Sequence, residues 1–143
     1  MKDTLKQGVK TTRRFTVDEN RVITFLAGSQ GGGDDGRVYG TPYVIRDIEQ
    51  TCRDMLLEHL DEGEDSLGTH VDIAHMAPTL LGMWAEVTVE IAKLDGRAVS
   101  FNVSVADPVD AVVAKGRHDR FIIDVAKVKE RLAAKAAKAK AAQ

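Results

Sequence analysis

Residues 42–60, PYVIRDIEQTCRDMLLEHL, predict one long helix near the middle of the chain. Apolar residues recur in it at steps of three and four, which places them on one face. This stripe consists of Ile45, Ile48, Cys52, Met55, Leu56 and Leu60. Pro42 suits the first helical position, so Thr41 is the expected N-cap. The sequence Asp-Glu-Gly at 61–63 predicts the end of the helix.

Strands are predicted both before and after this helix in the sequence. After position 66, apolar and polar residues alternate, which is the period of a half-buried strand. One strand-like segment begins at about residue 66, and three more cover residues 84–91, 99–105 and 111–125. An earlier strand is predicted at 8–17. The segment 111–125 places Phe121, Ile123 and Val125 on one side. Gly96 after Asp95 predicts a hairpin turn.

The order of these elements defines an α+β protein. A strand and a glycine-rich stretch precede the helix, and several antiparallel strands follow it. One helix cannot cover both faces of such a sheet, so the other face or an edge is expected to meet a partner. These features predict a hotdog fold, in which an antiparallel curved sheet wraps around one long central helix and pairs with a second copy.

Length and composition limit the possible classes of protein. The 143 residues suit a single domain at 1–126, followed by an Ala/Lys-rich tail at 127–143 that is expected to form a frayed helix. The net charge of −2 provides no overall field for nucleic acid. A single cysteine, Cys52, excludes an intrachain disulfide. No apolar run has the length of a signal peptide or a membrane span, so we expect a cytoplasmic protein without membrane contact.

The stretch from 27 to 40 contains six glycines and two aspartates. Such a composition cannot pack a core, and it predicts either a lid or a long loop. A phosphate-binding loop is excluded, because no Gly-Lys-Ser/Thr sequence follows.

Three residues are candidates for chemistry, and each also has a structural explanation. Glu49 falls on the apolar stripe, where a carboxylate is either part of a site or a stripe-edge residue that reaches solvent. His75 shares a strand face with Val71 and Ile73, so it is either a buried structural histidine or a general acid/base. Thr41 is explained by an N-cap role, which is compatible with a catalytic one.

Several short motifs together resemble the fluoroacetyl-CoA thioesterase family of hotdog proteins. The motifs are EGEDSLGT at 62–69, HMAPT at 75–79 with Gly82, DGR at 95–97, FNV at 101–103 and GRHDR at 116–120. The likeness covers roughly residues 39–124. It implies an acyl-CoA thioesterase that hydrolyses a small acyl-CoA thioester, with CoA as part of the substrate and with no retained cofactor or metal.

The resemblance assigns roles to individual residues. It implies Thr41, Glu49 and His75 as catalytic residues and Gly68, Thr69 and Arg120 as substrate-binding residues. Attack on a thioester carbonyl builds an oxyanion, and the backbone N–H of Gly68 or Thr69 is a candidate donor. Thr41 either is the nucleophile or orients a water molecule. Arg120 either recognises the substrate or pairs with Asp119 or Asp107.

Helix geometry separates two of these candidates. Thr41 and Glu49 are eight positions apart, about 12 Å along a continuous helix. Either the helix starts irregularly, or the site joins residues of two protomers at a homodimer interface, as the resemblance implies. The family's fluoroacetate-selective member has an aromatic lid before the threonine, whereas residues 28–36 contain no aromatic residue. This difference argues against selectivity for a fluorinated acyl group.

Two other functions fit a hotdog protein. A hydratase or dehydratase of enoyl or hydroxyacyl thioesters would pair an aspartate with a nearby histidine, and Asp72 with His75 is a loose match. The other is a non-catalytic acyl-CoA-binding dimer.

Overall fold

A five-stranded antiparallel sheet and one long helix form the centre of the computed structural model, which describes residues 1–26 and 36–143. The elements are β1 (Lys10–Thr16), β2 (Val22–Ile23), β3 (Val38–Tyr39), α1 (Thr41–Leu57), β4 (Glu64–His75), β5 (Trp84–Asp95), β6 (Ala98–Ala106), β7 (Ala114–Asp124) and α2 (Val125–Ala141). The sheet order is β1-β5-β6-β7-β4, and β2 pairs with β3. Residues 27–35 of the predicted lid or loop at 27–40 lie outside the described residues.

Helix α1 starts one residue earlier than the sequence pattern predicts. Gly40 is the N-cap and Thr41 is already helical, so the prediction of Thr41 as the cap is wrong. A side chain at 40 would meet Tyr43 Cδ2 at 2.8 Å and Ile23 Cγ2 at 2.9 Å. The close packing of these two side chains therefore keeps the cap position for glycine and leaves the Thr41 hydroxyl free for another contact.

The core lies between α1 and one face of the sheet. Every second residue of β5 and β6 is buried against the helix, as the period of two predicts. The buried apolar residues of α1 are Val44, Ile48, Cys52, Met55 and Leu56. Ile45 is only half-buried, because Val44 takes the inward position at the start of the stripe, whereas the later residues of the stripe are buried as predicted.

Strand β7 turns its polar residues inward. His118, Arg120 and Ile122 are buried, whereas Phe121 is 44% exposed on the opposite side of the strand. The predicted set of Phe121, Ile123 and Val125 is therefore the outer side of β7, and Val125 already belongs to α2. This orientation brings a histidine and an arginine under the helix.

Strand β4 is an edge of the sheet. It hydrogen-bonds only to β7 among the named strands, and most of its residues from 67 to 74 are exposed. The register with β7 shifts between Gly68 and His70, so Thr69 lies in a bulge. A 12-residue edge with open backbone groups is a surface that proteins normally cover or protect.

Helix α2 follows β7 directly. Asp124 caps it by accepting a hydrogen bond from the Lys127 backbone N–H at 3.2 Å, and none of its residues is buried. The domain boundary at 126/127 and the fraying of the tail stay predictions. Among the described residues, no helix is both long enough and apolar enough to cross a membrane.

Candidate functional site

Thr41 and His75 meet where α1 begins and β4 ends. Thr41 Oγ1 lies 2.8 Å from His75 Nδ1. The pair lies in a cleft of about 250 Å³ whose other lining residues are Ile23, Val38, Tyr39, Met76, Ala77 and Pro78. The fold thus joins two candidates that are 34 positions apart in the sequence.

The environment of His75 favours its neutral form. Burial lowers the pKa of His75, although the Ala77 backbone acts in the opposite direction. Nε2 is buried and makes no hydrogen bond of good geometry within residues 1–26 and 36–143. A neutral ring protonated on Nε2 accepts the Thr41 hydroxyl proton at Nδ1, which is the arrangement that activates a hydroxyl or a bound water.

Glu49 belongs to a second cluster. Its Oε1 lies 3.8 Å from Arg120 Nη1 and 3.9 Å from His118 Nε2, at one end of a cleft of about 210 Å³. Its side chain is 41% exposed, so it is a stripe-edge residue rather than a core carboxylate. Within the described residues, Glu49 has no hydrogen bond or ion pair with Thr41 or His75. Because α1 is continuous from Thr41 to Leu57, an irregular helix start does not bring them together.

Gly68 and Thr69 lie on β4 beside Glu49. A Cβ atom at position 68 would be 2.6 Å from Glu49 Oε1 and 3.2 Å from His118 Cε1. Glycine is therefore required for the glutamate and the imidazole to approach the strand this closely. Thr69 occupies the bulge and is exposed, so its role in substrate binding stays a prediction.

Arg120 is buried and held by several partners. Its Nε donates to Ser66 Oγ at 2.7 Å and its Nη2 to the Ser66 carbonyl at 2.8 Å. The predicted alternative of a pair with Asp119 or Asp107 is wrong, since the ion-pair partner of Asp119 is Arg117 and Asp107 accepts from Thr79. Burial lowers the pKa of Arg120 while Glu49 raises it, and a guanidinium remains charged in either case.

Two features of the site are absent from the sequence predictions. His118 is fully buried between β4 and Arg120, and its two-residue spacing from Arg120 was the available signal. Asp47 is 2% exposed and accepts hydrogen bonds from Tyr39 Oη and from Arg21 Nε, the latter at 2.9 Å. Asp47 lies three residues after Val44, so helical spacing also indicated an inward position.

The hydratase pairing is not formed. Asp72 pairs in register with Arg117 and His75 with Ala114. Residues three apart on a strand point to opposite faces, so Asp72 does not face His75. Among the described residues, no group of three or more His, Cys, Asp or Glu side chains could hold a metal ion.

Similarity to solved structures shows that the protein has a hotdog fold. A fluoroacetyl-CoA thioesterase structure matches with a TM-score of 0.81 and 29% identity, over 93% of this chain and 98% of that one. A thioesterase superfamily member from Thermus thermophilus gives a TM-score of 0.83 at 23% identity, over 97% of this chain and 98% of that one, and supports the fold alone. The predicted α+β hotdog fold is confirmed.

Sequence comparison identifies the family within this class. The profile described as fluoroacetyl-CoA-specific thioesterase matches residues 17–126. The fluoroacetyl-CoA thioesterase of Streptantibioticus cattleyicolor is 31% identical over 128 residues, which is 89% of this chain and 91% of that protein. The chain therefore belongs to the fluoroacetyl-CoA-specific thioesterase family, which confirms the resemblance read from the motifs.

Proposed function

We propose that the protein hydrolyses a small acyl-CoA thioester to the free acid and CoA, with Thr41 and His75 as the reacting pair. The observation that carries this proposal is the 2.8 Å contact between Thr41 Oγ1 and His75 Nδ1 in a cleft of about 250 Å³. A cleft of that volume suits a short acyl group. Membership of a thioesterase family supports the same chemistry.

The reaction uses the neutral imidazole of His75. In one route Thr41 Oγ1 attacks the thioester carbonyl as His75 takes the hydroxyl proton, and water later releases the acyl group. In the other route Thr41 holds a water molecule that attacks directly. In both, the carbon–sulfur bond breaks and the CoA thiolate receives a proton, while backbone N–H groups near residues 68–69 would stabilise the oxyanion. CoA takes part as the leaving group of the substrate.

A homodimer would bring the two clusters together. A two-fold axis across the open edge of β4 would pair two copies of this strand in antiparallel orientation. A pairing centred on Val71 or Asp72 would place the His75 end of one copy beside residues 68–69 of the other. The Glu49 of the second copy would then approach the Thr41–His75 pair of the first, and the exposed Leu67 and Val71 support such an interface.

Mixing two inactive variants tests the shared site. We expect Thr41→Ala and Glu49→Gln each to lose activity in a free-CoA release assay. In a heterodimer of the two, one site would combine intact Thr41 and His75 with intact Glu49. An equimolar mixture after subunit exchange should therefore regain roughly a quarter of wild-type activity. If the site lies within one chain, the mixture stays inactive, and the shared site is rejected.

A substrate panel tests the activity itself. Release of free CoA from acyl-CoAs of increasing chain length should be fastest for short acyl groups. A protein that binds acyl-CoA without thiol release would be a binding dimer. Matching rates for acetyl-CoA and fluoroacetyl-CoA would agree with the absence of aromatic residues at 28–36. The cytoplasmic location remains a prediction.

A further inference from the structure

His118 is a fully buried histidine that links β4 to Arg120. Its Nδ1 lies 2.8 Å from the backbone carbonyl oxygen of His70, directly after the bulge in β4. Its Nε2 lies 3.2 Å from Arg120 Nη1. Both ring nitrogens are therefore engaged, and the His118 side chain itself is 0% exposed.

These two contacts determine where the ring carries its proton. A carbonyl oxygen only accepts, so Nδ1 must donate a proton to His70. The Arg120 guanidinium only donates, so Nε2 must be unprotonated. The ring is accordingly neutral with its hydrogen on Nδ1. Desolvation and the neighbouring Arg120 charge lower the pKa of His118, whereas the His70 carbonyl and the Glu49 and Asp119 carboxylates oppose this shift.

We propose that His118 is a positioning residue, which as a neutral Nδ1–H imidazole ties the β4 bulge at residues 68–70 to the guanidinium of Arg120. Two other donors of Arg120, on Nε and Nη2, are held by Ser66, so the acceptor on His118 gives each of the three guanidinium nitrogens a partner and fixes the plane of the group. The fixed guanidinium lies 3.8 Å from the Glu49 carboxylate, so its position affects the charge that faces Glu49. The inference rests on the proposed function for its effect on turnover.

The two contacts can be removed separately by substitution. In His118→Asn the side-chain amide N–H can replace Nδ1 toward His70, but no acceptor reaches Arg120. In His118→Gln the amide oxygen can replace Nε2 as the acceptor for Arg120. His59→Asn, at a partly exposed histidine whose Nδ1 lies 2.7 Å from Thr4 Oγ1, is the matched control. Thermal unfolding of each variant separates a loss of stability from a loss of positioning.

Turnover should follow the acceptor for Arg120. We expect kcat/KM to fall about tenfold or more in His118→Asn, because small displacements of positioned groups are costly. His118→Gln should stay within about threefold of wild type, and His59→Asn should be unchanged. Equal activity of the Asn and Gln variants, or losses that follow only their melting temperatures, would overturn the proposal.

Nitrogen NMR tests the inference without using activity. Long-range ¹H–¹⁵N spectra of histidine-labelled wild-type protein should show His118 as the neutral Nδ1–H form at about pH 7. The His118 signals are assigned as those that disappear in His118→Gln. A protonated ring or an Nε2–H form would refute the positioning role even if the enzyme is active. Absence of thiol release with the expected tautomer would instead refute the proposed function alone.

Discussion

The role of Thr41 depends on the packing around the residue before it, Gly40. The Thr-Pro pair is typical of an N-cap followed by the first helical residue, but Gly40 takes the cap because Tyr43 and Ile23 leave no space for a side chain there. The hydroxyl of Thr41 is consequently available to His75. No sequence pattern reports the packing around position 40, so this shift by one residue could not be predicted.

Substitution of Thr41 should separate activity from stability. We expect Thr41→Ala to lower kcat by about a hundredfold or more in a free-CoA release assay, because it removes the group that His75 activates. The free energy of unfolding should change by less than about 0.5 kcal/mol, since the side chain does not cap the helix. Thr41→Ser keeps the hydroxyl and serves as the control. A loss near 1 kcal/mol in urea unfolding would contradict the assignment of Gly40 as the cap.

The pH profile should report the protonation of His75. Burial lowers the pKa of His75 from its ordinary 6.5, and only the neutral ring can accept the hydroxyl proton. The value of kcat/KM should therefore rise with pH along an acid limb centred below 6.5 and then level off. Initial rates from acid to neutral pH measure this limb. An acid limb centred above 6.5 would mean that burial does not determine the pKa of His75.

At the scale of elements, the hydrophobic periodicity predicts where a strand lies in the sequence better than it predicts which side of the strand is buried. The alternation in residues 84–105 gives β5 and β6 and their buried sides almost residue by residue. In β7 the apolar residues Phe121 and Ile123 suggest an inward side, yet His118 and Arg120 take it. Their burial depends on partners from β4 and α1 that a local pattern does not contain. Helix geometry separated Thr41 from Glu49 in the sequence analysis, but the contacts of Thr41 with His75 and of Glu49 with Arg120 required the structure.

Helix α1 is tied to β3 by a buried polar group, and this contact should carry measurable stability. Asp47 accepts hydrogen bonds from Tyr39 and Arg21, and burial, together with the hydrogen bond to Asp47, raises the pKa of Tyr39. Asp47→Ala should cost about 2 kcal/mol in urea unfolding, because it leaves the buried Tyr39 phenol without its acceptor and the partly buried Arg21 guanidinium with Asp18 alone. Asp54→Ala, which removes the exposed 2.6 Å pair with Arg13, is the matched control and should cost less than about 1 kcal/mol. Equal losses of unfolding free energy in the two variants would show that the burial of Asp47 adds no stability.

At the scale of the whole molecule, one chain places two separate clusters of candidate residues along a single strand. Gly68 lies in the first half of β4 with Glu49 and Arg120 beneath it, and His75 lies at its end with Thr41. An antiparallel pairing of two such strands exchanges their ends. The proposed homodimer would therefore account both for the open edge of β4 and for the separation of the two clusters.

A charge at the centre of β4 should dissociate this assembly and abolish activity together. Val71 is 41% exposed at the proposed two-fold axis, so Val71→Lys places two ammonium groups near each other across the interface. Leu132→Lys, at a 60% exposed position on α2, makes the same chemical change away from the interface. Sedimentation at micromolar concentration should give a dimer for wild type and Leu132→Lys and a monomer for Val71→Lys. Free-CoA release should be lost only in the monomeric variant, while its circular dichroism stays that of a folded chain. A folded Val71→Lys monomer with full activity would show that each chain carries a complete site, with Glu49 playing no part in the chemistry at Thr41.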